Sequence, residues 1–225
     1  MLPVLVAASH GTASPEGQCA VAGLVEAVAR RRPDVEVRAA FVDVQQPDPA
    51  AVLEELDGRP ARLVPLLLSA GYHVFVDLTE AARAVPGTTV AGALGPDPRL
   101  AELLRGRLER AGLRPDDVVV LAAAGSSQAS AVDDCRRIAA ELARLIGRPV
   151  TAGFLSAAEP RLDDAVAAAR VEGRRVVVAT YLLAPGFFAD LAARAGADVV
   201  TEPLLLSDEP AAGALVDIVV DRYLS

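Results

Sequence analysis

Pro3-Val4-Leu5-Val6-Ala7-Ala8-Ser9-His10-Gly11-Thr12, residues 3–12, decides how the rest of the chain is read. Pro3–Ala8 is an unbroken apolar run of strand length, the pattern of a strand buried on both faces. A polar, glycine-containing turn follows it. Then Glu16–Arg32 repeats its apolar residues with a helical period, which puts Val21, Leu24, Val25 and Val28 on one face. Strand, turn and helix in that order make one βα unit.

Working outward, the same alternation continues. Strands are expected over Val35–Phe41, Arg62–Leu68 and Thr89–Gly92, and helices over Pro49–Leu56, about Val74–Ala84 and Arg99–Ala111. Leu100, Leu103, Leu104 and Leu108 form the inward face of the last helix. Gly112 then ends it and Pro115 prevents its continuation. The pattern restarts with strands at Val118–Ala123, Val150–Leu155, Arg175–Leu182 and Asp198–Thr201. Between and after them lie helices at Ser130–Ile146, Pro160–Val171, Phe187–Ala195 and Glu209–Tyr223. Repeated βα units imply parallel sheets covered by helices on both faces.

The restart is a duplication. Phe41-x5-Pro47 matches Phe154-x5-Pro160 at an offset of 113 residues, Ala8–Thr12 lies opposite Ala122–Ser126 at 114, and Gly71 matches Gly186 at 115. Near-constant offsets at three separate places argue for two copies of one unit, with a linker expected near Arg110–Asp116.

Composition narrows the function. The 225 residues carry a net charge of −8 and are 52% hydrophobic, with a mean hydropathy of +0.35. Disorder is excluded by the hydrophobicity, and nonspecific nucleic-acid binding is disfavoured by the negative charge. No apolar run approaches the roughly 18–20 residues of a membrane span, and the first residues lack the basic flank of a signal peptide. The expected location is cytoplasmic, with no membrane partner. The two cysteines, Cys19 and Cys135, form no CxxC pair. That excludes a cysteine-held iron–sulfur cluster or zinc ribbon, and both are expected to be small buried residues.

The chemistry falls in the first half. The only two histidines, His10 and His73, both follow strands, and Asp43 lies just beyond the strand between them in sequence. Open α/β sheets bind ligands outside the carboxyl ends of their strands. Two imidazoles and a carboxylate with open positions suit Fe(II) or Co(II). In the second half Ala124 stands in place of His10, Ser156 in place of Asp43, and Phe187-Phe188 in place of Tyr72-His73. All three candidate ligands are absent together from the copy.

Ser9-His10-Gly11-Thr12, Ala40-Phe41-Val42-Asp43-x3-Pro47, Val64–His73-x3-Asp77 and Leu94-Gly95-Pro96-x-Pro98-x-Leu100 together resemble the sirohydrochlorin chelatase (CbiX/SirB) family, in order and spacing over nearly the whole first half. The second half resembles the degenerate repeat of the family's two-domain long forms. The resemblance implies two tandem chelatase-like (flavodoxin-like) domains, each a mostly parallel four-stranded sheet flanked by helices. Residues 1–113 would be catalytic and 117–225 a structural repeat, together a monomeric pseudo-dimer.

It implies ATP-independent insertion of Fe2+ or Co2+ into sirohydrochlorin for siroheme or cobalamin synthesis, with the metal as substrate and no organic cofactor. His10 and His73 take the family's metal-site histidines, as ligands and catalytic bases. Asp43 falls where a glutamate is usual, one methylene shorter. Gly11, Thr12, Ser69, Gly71 and Tyr72 are expected to contact the tetrapyrrole, and the N–H groups of Gly11–Ala13 to meet its carboxylates. Asp77 is expected on a helix surface. The alternative kept open is a non-catalytic metal or tetrapyrrole carrier. A histidine phosphatase, suggested by His10-Gly11, is disfavoured because Ser9 stands where such enzymes need an arginine.

Overall fold

A computed structural model describes residues 2–69 and 72–225, and of 72–75 the backbone alone. Within each of two compact units, the described residues form an open, four-stranded, fully parallel sheet. The first unit uses β1 (Val4–Ser9), β2 (Val37–Phe41), β3 (Ala61–Pro65) and β4 (Thr89–Val90) in the order β2-β1-β3-β4. The second uses β5 (Val118–Ala123), β6 (Val150–Phe154), β7 (Val176–Tyr181) and β8 (Val199–Val200) in the matching order β6-β5-β7-β8. Each expected strand is present.

β1 is central, paired with β2 from Leu5–Val37 to Ser9–Phe41 and with β3 from Val4–Ala61 to Ala8–Pro65, and all six of its residues are buried. That is why the run of residues 4–8 shows no polar alternation. Val4, Val6 and Ala8 point into one core with Ala40, Val52, Leu53, Leu56, Leu63 and Leu78.

The helices are α1 (Pro15–Arg31), α2 (Pro49–Glu55), α3 (Tyr72–Ala84), α4 (Pro98–Arg110), α5 (Ala129–Ile146), α6 (Leu162–Ala168), α7 (Phe187–Ala193) and α8 (Gly213–Leu224). Three starts are legible in sequence: Ser14, Asp48 and Asp97 accept backbone N–H bonds as N-caps, each followed by a proline at the first helical position. α3 begins two residues earlier than the expected Val74. Tyr72 and His73 have middling helix propensity and announce no start.

The compact units are not the two halves of the repeat. One comprises Met1–Leu94 with Leu205–Ser225, the other Gly95–Leu204. α4 packs on α5 and β7, whereas α8 packs on α1 and β3. The division expected between 113 and 117 marks where the order of elements repeats. In packing terms, each sequence half ends in a helix that belongs to the other unit. Nor is the expected linker loose. Arg148 Nη1 donates to the carbonyls of Arg114 (2.7 Å) and Asp117 (3.1 Å), and Arg175 Nη2 donates to that of Gly112 (3.0 Å).

Asp117 anchors that segment. It is 1% exposed, and its carboxylate accepts from Arg175 Nε (3.0 Å) and Nη2 (2.7 Å) and from the Arg114 N–H (2.7 Å). The Arg175 guanidinium beside it holds its carboxyl below the usual range, against the opposing effect of burial. A carboxyl depressed in the folded state stabilises above its unfolded pKa of ~3.9 and loses that contribution as pH falls through the folded value. Asp117→Ala is expected to cost about 1–3 kcal/mol at neutral pH, because it removes the acceptor of the Arg114 N–H and of the partly exposed Arg175 guanidinium. The difference in urea-unfolding stability between wild type and variant should shrink below pH ~4. A pH-independent difference would show that ionisation is not what stabilises the segment.

Cys135 is buried as expected, but Cys19 is exposed on α1. Val21 and Val25, expected inward, are half-exposed. With Ala22, Ala39 and Phe41 they line an open groove of about 410 Å³ between α1 and the edge strand β2. The inward face of α1 is instead Gly17, Ala20, Leu24 and Val28. Among the described residues, no helix is long and apolar enough to cross a membrane.

Candidate metal centre at the strand ends

Hydrogen bonding between β1 and β2 continues past both strands. The Val42 N–H donates to the Ser9 carbonyl and the Asp43 N–H to the His10 carbonyl, each at 2.9 Å. His10 and Asp43 are therefore backbone neighbours on adjacent strand ends, both solvent-exposed. The fold brings the backbones of this pair together.

Gly11 follows His10 at φ +91°, and a Cβ there would run into the Asp43 carbonyl oxygen. Only glycine allows the two loops to lie this close. Gly11→Ala should therefore cost about 1–3 kcal/mol in backbone strain and displace His10. Gly125, at φ +90° against the Ser156 carbonyl, meets the same obstacle in the other unit. Both Ala variants should melt several degrees lower, but below the melting range only Gly11→Ala should lose activity, by about 10-fold or more. Equal activity in the two variants would show that His10 does not depend on this approach.

The Asp43 carboxylate is partly committed locally, since Oδ1 accepts from the Val44 N–H at 2.8 Å. Val44 sits at φ 54°, and Ala157 repeats that conformation at φ 51°. Thr12, expected as a substrate contact, is half-buried, and its N–H is already taken by Gln45 Oε1 at 3.0 Å. The Ser14 N–H goes to Thr12 Oγ1 at 3.1 Å. The run of free N–H groups expected over Gly11–Ala13 is thus interrupted at Thr12. Gln18 Nε2 donates to the Thr12 carbonyl at 2.8 Å. Neither glutamine stood out in sequence. The usable signal was their replacement in the second copy, where Val132 and Ala158 stand at the aligned positions.

Ser69 is half-buried after β3. Gly71 lies outside the described residues, as do the side chains of Tyr72 and His73, whose backbone forms the first turn of α3. His73 is thus on a helix rather than in a loop. Asp77 is exposed on α3, as expected. Among the described residues, no three His, Cys, Asp or Glu side chains are grouped to hold a metal. A three-ligand centre on His10 and Asp43 would need His73.

The corresponding end of the second sheet keeps the backbone and lacks the donors. The Ser156 N–H and Oγ both donate to the Ala124 carbonyl at 2.9 Å. α7 opens with Phe187, 69% exposed, beside Phe188, with ring centroids 5.8 Å apart.

The family model described as CbiX matches residues 4–111 and again 118–198, one match per repeat. This chain belongs to the CbiX family. Among its relatives is a sirohydrochlorin cobaltochelatase of Methanosarcina barkeri (strain Fusaro / DSM 804), 27% identical over 123 residues. That match covers 48% of this chain and 95% of the relative.

Among solved structures, SirB from Bacillus subtilis with Fe3+ superposes with a TM-score of 0.82 at 19% identity, covering 99% of this CbiX-family chain and 94% of that one. The structure of CbiX, described as the terminal enzyme for biosynthesis of siroheme in denitrifying bacteria, gives 0.71 at 23% identity, covering 99% and 100%. At such identities these likenesses establish the chelatase-like fold expected from the sequence.

Proposed function

We propose that this chain is an ATP-independent chelatase that inserts a divalent metal, Fe2+ or Co2+, into sirohydrochlorin, in the synthesis of siroheme or cobalamin. The observation that carries the reading is the placement of His10 beside Asp43 at the carboxyl end of a central parallel strand, in one copy of the repeat only. The relatives' names point the same way.

Metal insertion displaces two pyrrole N–H protons. His10 and His73 hold the incoming ion as neutral imidazoles and accept those protons as it leaves for the ring nitrogens. An open, weakly held site suits an ion that must be released, where a closed four-ligand site would retain it. Gly11, Thr12, Ser69, Gly71 and Tyr72 are the proposed macrocycle contacts. Of these, Thr12 offers its side chain and not its N–H. The second copy serves as scaffold in a monomeric pseudo-dimer, acting in the cytoplasm, and the reaction as written calls on no organic cofactor.

The test is spectrophotometric: sirohydrochlorin with Co2+ or Fe2+, with and without protein, the spontaneous rate being subtracted. Enzyme-dependent turnover supports the chelatase, and metal binding without acceleration makes the protein a carrier. In the same assay Asp43→Asn, which retains an acceptor for the Val44 N–H but removes the charge, should lose roughly 10-fold, in the range of groups that orient a ligand. A loss as large as that of His10→Ala would make Asp43 a direct metal ligand.

A further inference from the structure

The backbone of Thr12, two residues past His10, is gripped from both sides. A carbonyl can only accept and an N–H can only donate. Thr12 presents its carbonyl to the Gln18 amide at 2.8 Å and its N–H to the Gln45 carbonyl oxygen at 3.0 Å. Gln18 stands in the first turns of α1, its own N–H bonded to the Ser14 carbonyl at 2.9 Å. Gln45 is tied at the other end, its N–H donating to the Asp43 carbonyl at 2.5 Å. The loop that carries His10 is therefore fastened both to a rigid helix and to the loop that carries Asp43.

The second copy serves as a control within the chain. It keeps the glycine at φ +90°, the backbone bond from Ser156 to Ala124, and the turn in which the Gln128 N–H donates to Ser126 Oγ at 3.1 Å, as Ser14 does to Thr12. It has Val132 where Gln18 stands and Ala158 where Gln45 stands. The same turn thus folds without either amide, so closing the turn does not account for them. What further separates the copies at this place is the pair of candidate ligands, His10 and Asp43 against Ala124 and Ser156.

We infer that Gln18 and Gln45 form an amide clamp that sets the position of His10, making both of them positioning residues for metal insertion. The inference rests on the role given to His10 above. Binding a metal and receiving a proton both depend on where the imidazole is held.

The decisive pair of variants is Gln45→Leu, which removes the acceptor, and Gln45→Glu, which retains one. Gln18→Val, the residue of the second copy, removes the donor on the other side. His10 is one of only two histidines, so its ring Cε1–Hε1 signal is resolved by NMR in metal-free protein and assigned with His10→Ala. In Gln45→Leu and Gln18→Val that signal should shift or broaden while in Gln45→Glu it stays close to wild type. kcat for Co2+ insertion should fall about 10-fold in the first two and much less in Gln45→Glu, with melting temperatures of all three near wild type.

A His10 signal in Gln45→Leu that superimposes on wild type overturns the clamp. So does a loss of turnover that is equal in Leu and Glu and follows a fall in melting temperature. Wild-type protein without enzyme-dependent turnover would overturn the chelatase reading alone, since the NMR signal decides the clamp without turnover.

Discussion

His10→Ala and His73→Ala should each lower enzyme-dependent metal insertion by about 10²–10⁴-fold, the usual span for removing a positioned acid–base group. No third imidazole exists to substitute. The loss should not be one of folding. His10 is exposed, and the bond its carbonyl accepts from Asp43 comes from the backbone and survives truncation of the side chain. His73 stands in the first turn of α3, where alanine is the better helix former. Melting temperatures should therefore stay within a few degrees of wild type. Calorimetric titration with Co2+ should show the same loss in affinity. Near-wild-type turnover in either variant would mean that the imidazoles do not form the site, and the metal-centre assignment would go with it.

Cutting the chain at the repeat boundary should give fragments that do not fold, whereas a cut at the packing boundary should give one that does. A fragment of residues 1–115 loses α8, which buries Leu215, Val216, Ile218, Val219 and Tyr223 in the first unit. At about 1.5–3 kcal/mol each, those five side chains represent about 10 kcal/mol, comparable to the whole stability of an ordinary domain. Polar ties are lost too. Tyr223 Oη donates to the Pro3 carbonyl at 2.6 Å, and Arg222 donates to the carbonyls of Ala93 (2.7 Å) and Leu94 (2.9 Å). The same fragment retains α4, with Leu100, Leu104 and Leu108, but not the sheet they cover.

Residues 95–204, by contrast, are one continuous compact unit. They should yield a soluble, cooperatively melting fragment, while 1–115 and 117–225 aggregate. Size-exclusion chromatography and circular dichroism distinguish these outcomes. A folded, monomeric 117–225 beside an insoluble 95–204 would overturn the division.

The candidate site was legible for a local reason. The central strand β1 is apolar up to Ser9 at its end, so the polar residues that follow mark the carboxyl edge where such sheets bind ligands. His10 and Asp43 lie at that edge, and the duplication supplied a second copy in which both are replaced. The clamp was less legible, because a glutamine on a helix and another in a loop look like ordinary surface polarity until a fold sets both against one peptide unit. The exposure of Cys19, Val21 and Val25 departs from expectation for a similar reason. Helical period assigns a face, but α1 lies beside an edge strand, and part of that face overhangs the open groove.

The amino-acid sequence alone determined the alternation of strands and helices, the duplication, the parallel character of the sheets and the strand ends at which the candidate ligands stand. Those follow from local periodicity and from the burial of runs only a few residues long. Tertiary structure alone decided which sheet each terminal helix covers. The apolar stripes of α4 and α8 state that each must be buried but carry no address, and either sheet offers a face. The exchange of α4 and α8 between units is settled by packing between residues far apart in the chain, such as Arg62 with Arg222 and Arg107 with Leu204, and no local pattern encodes it.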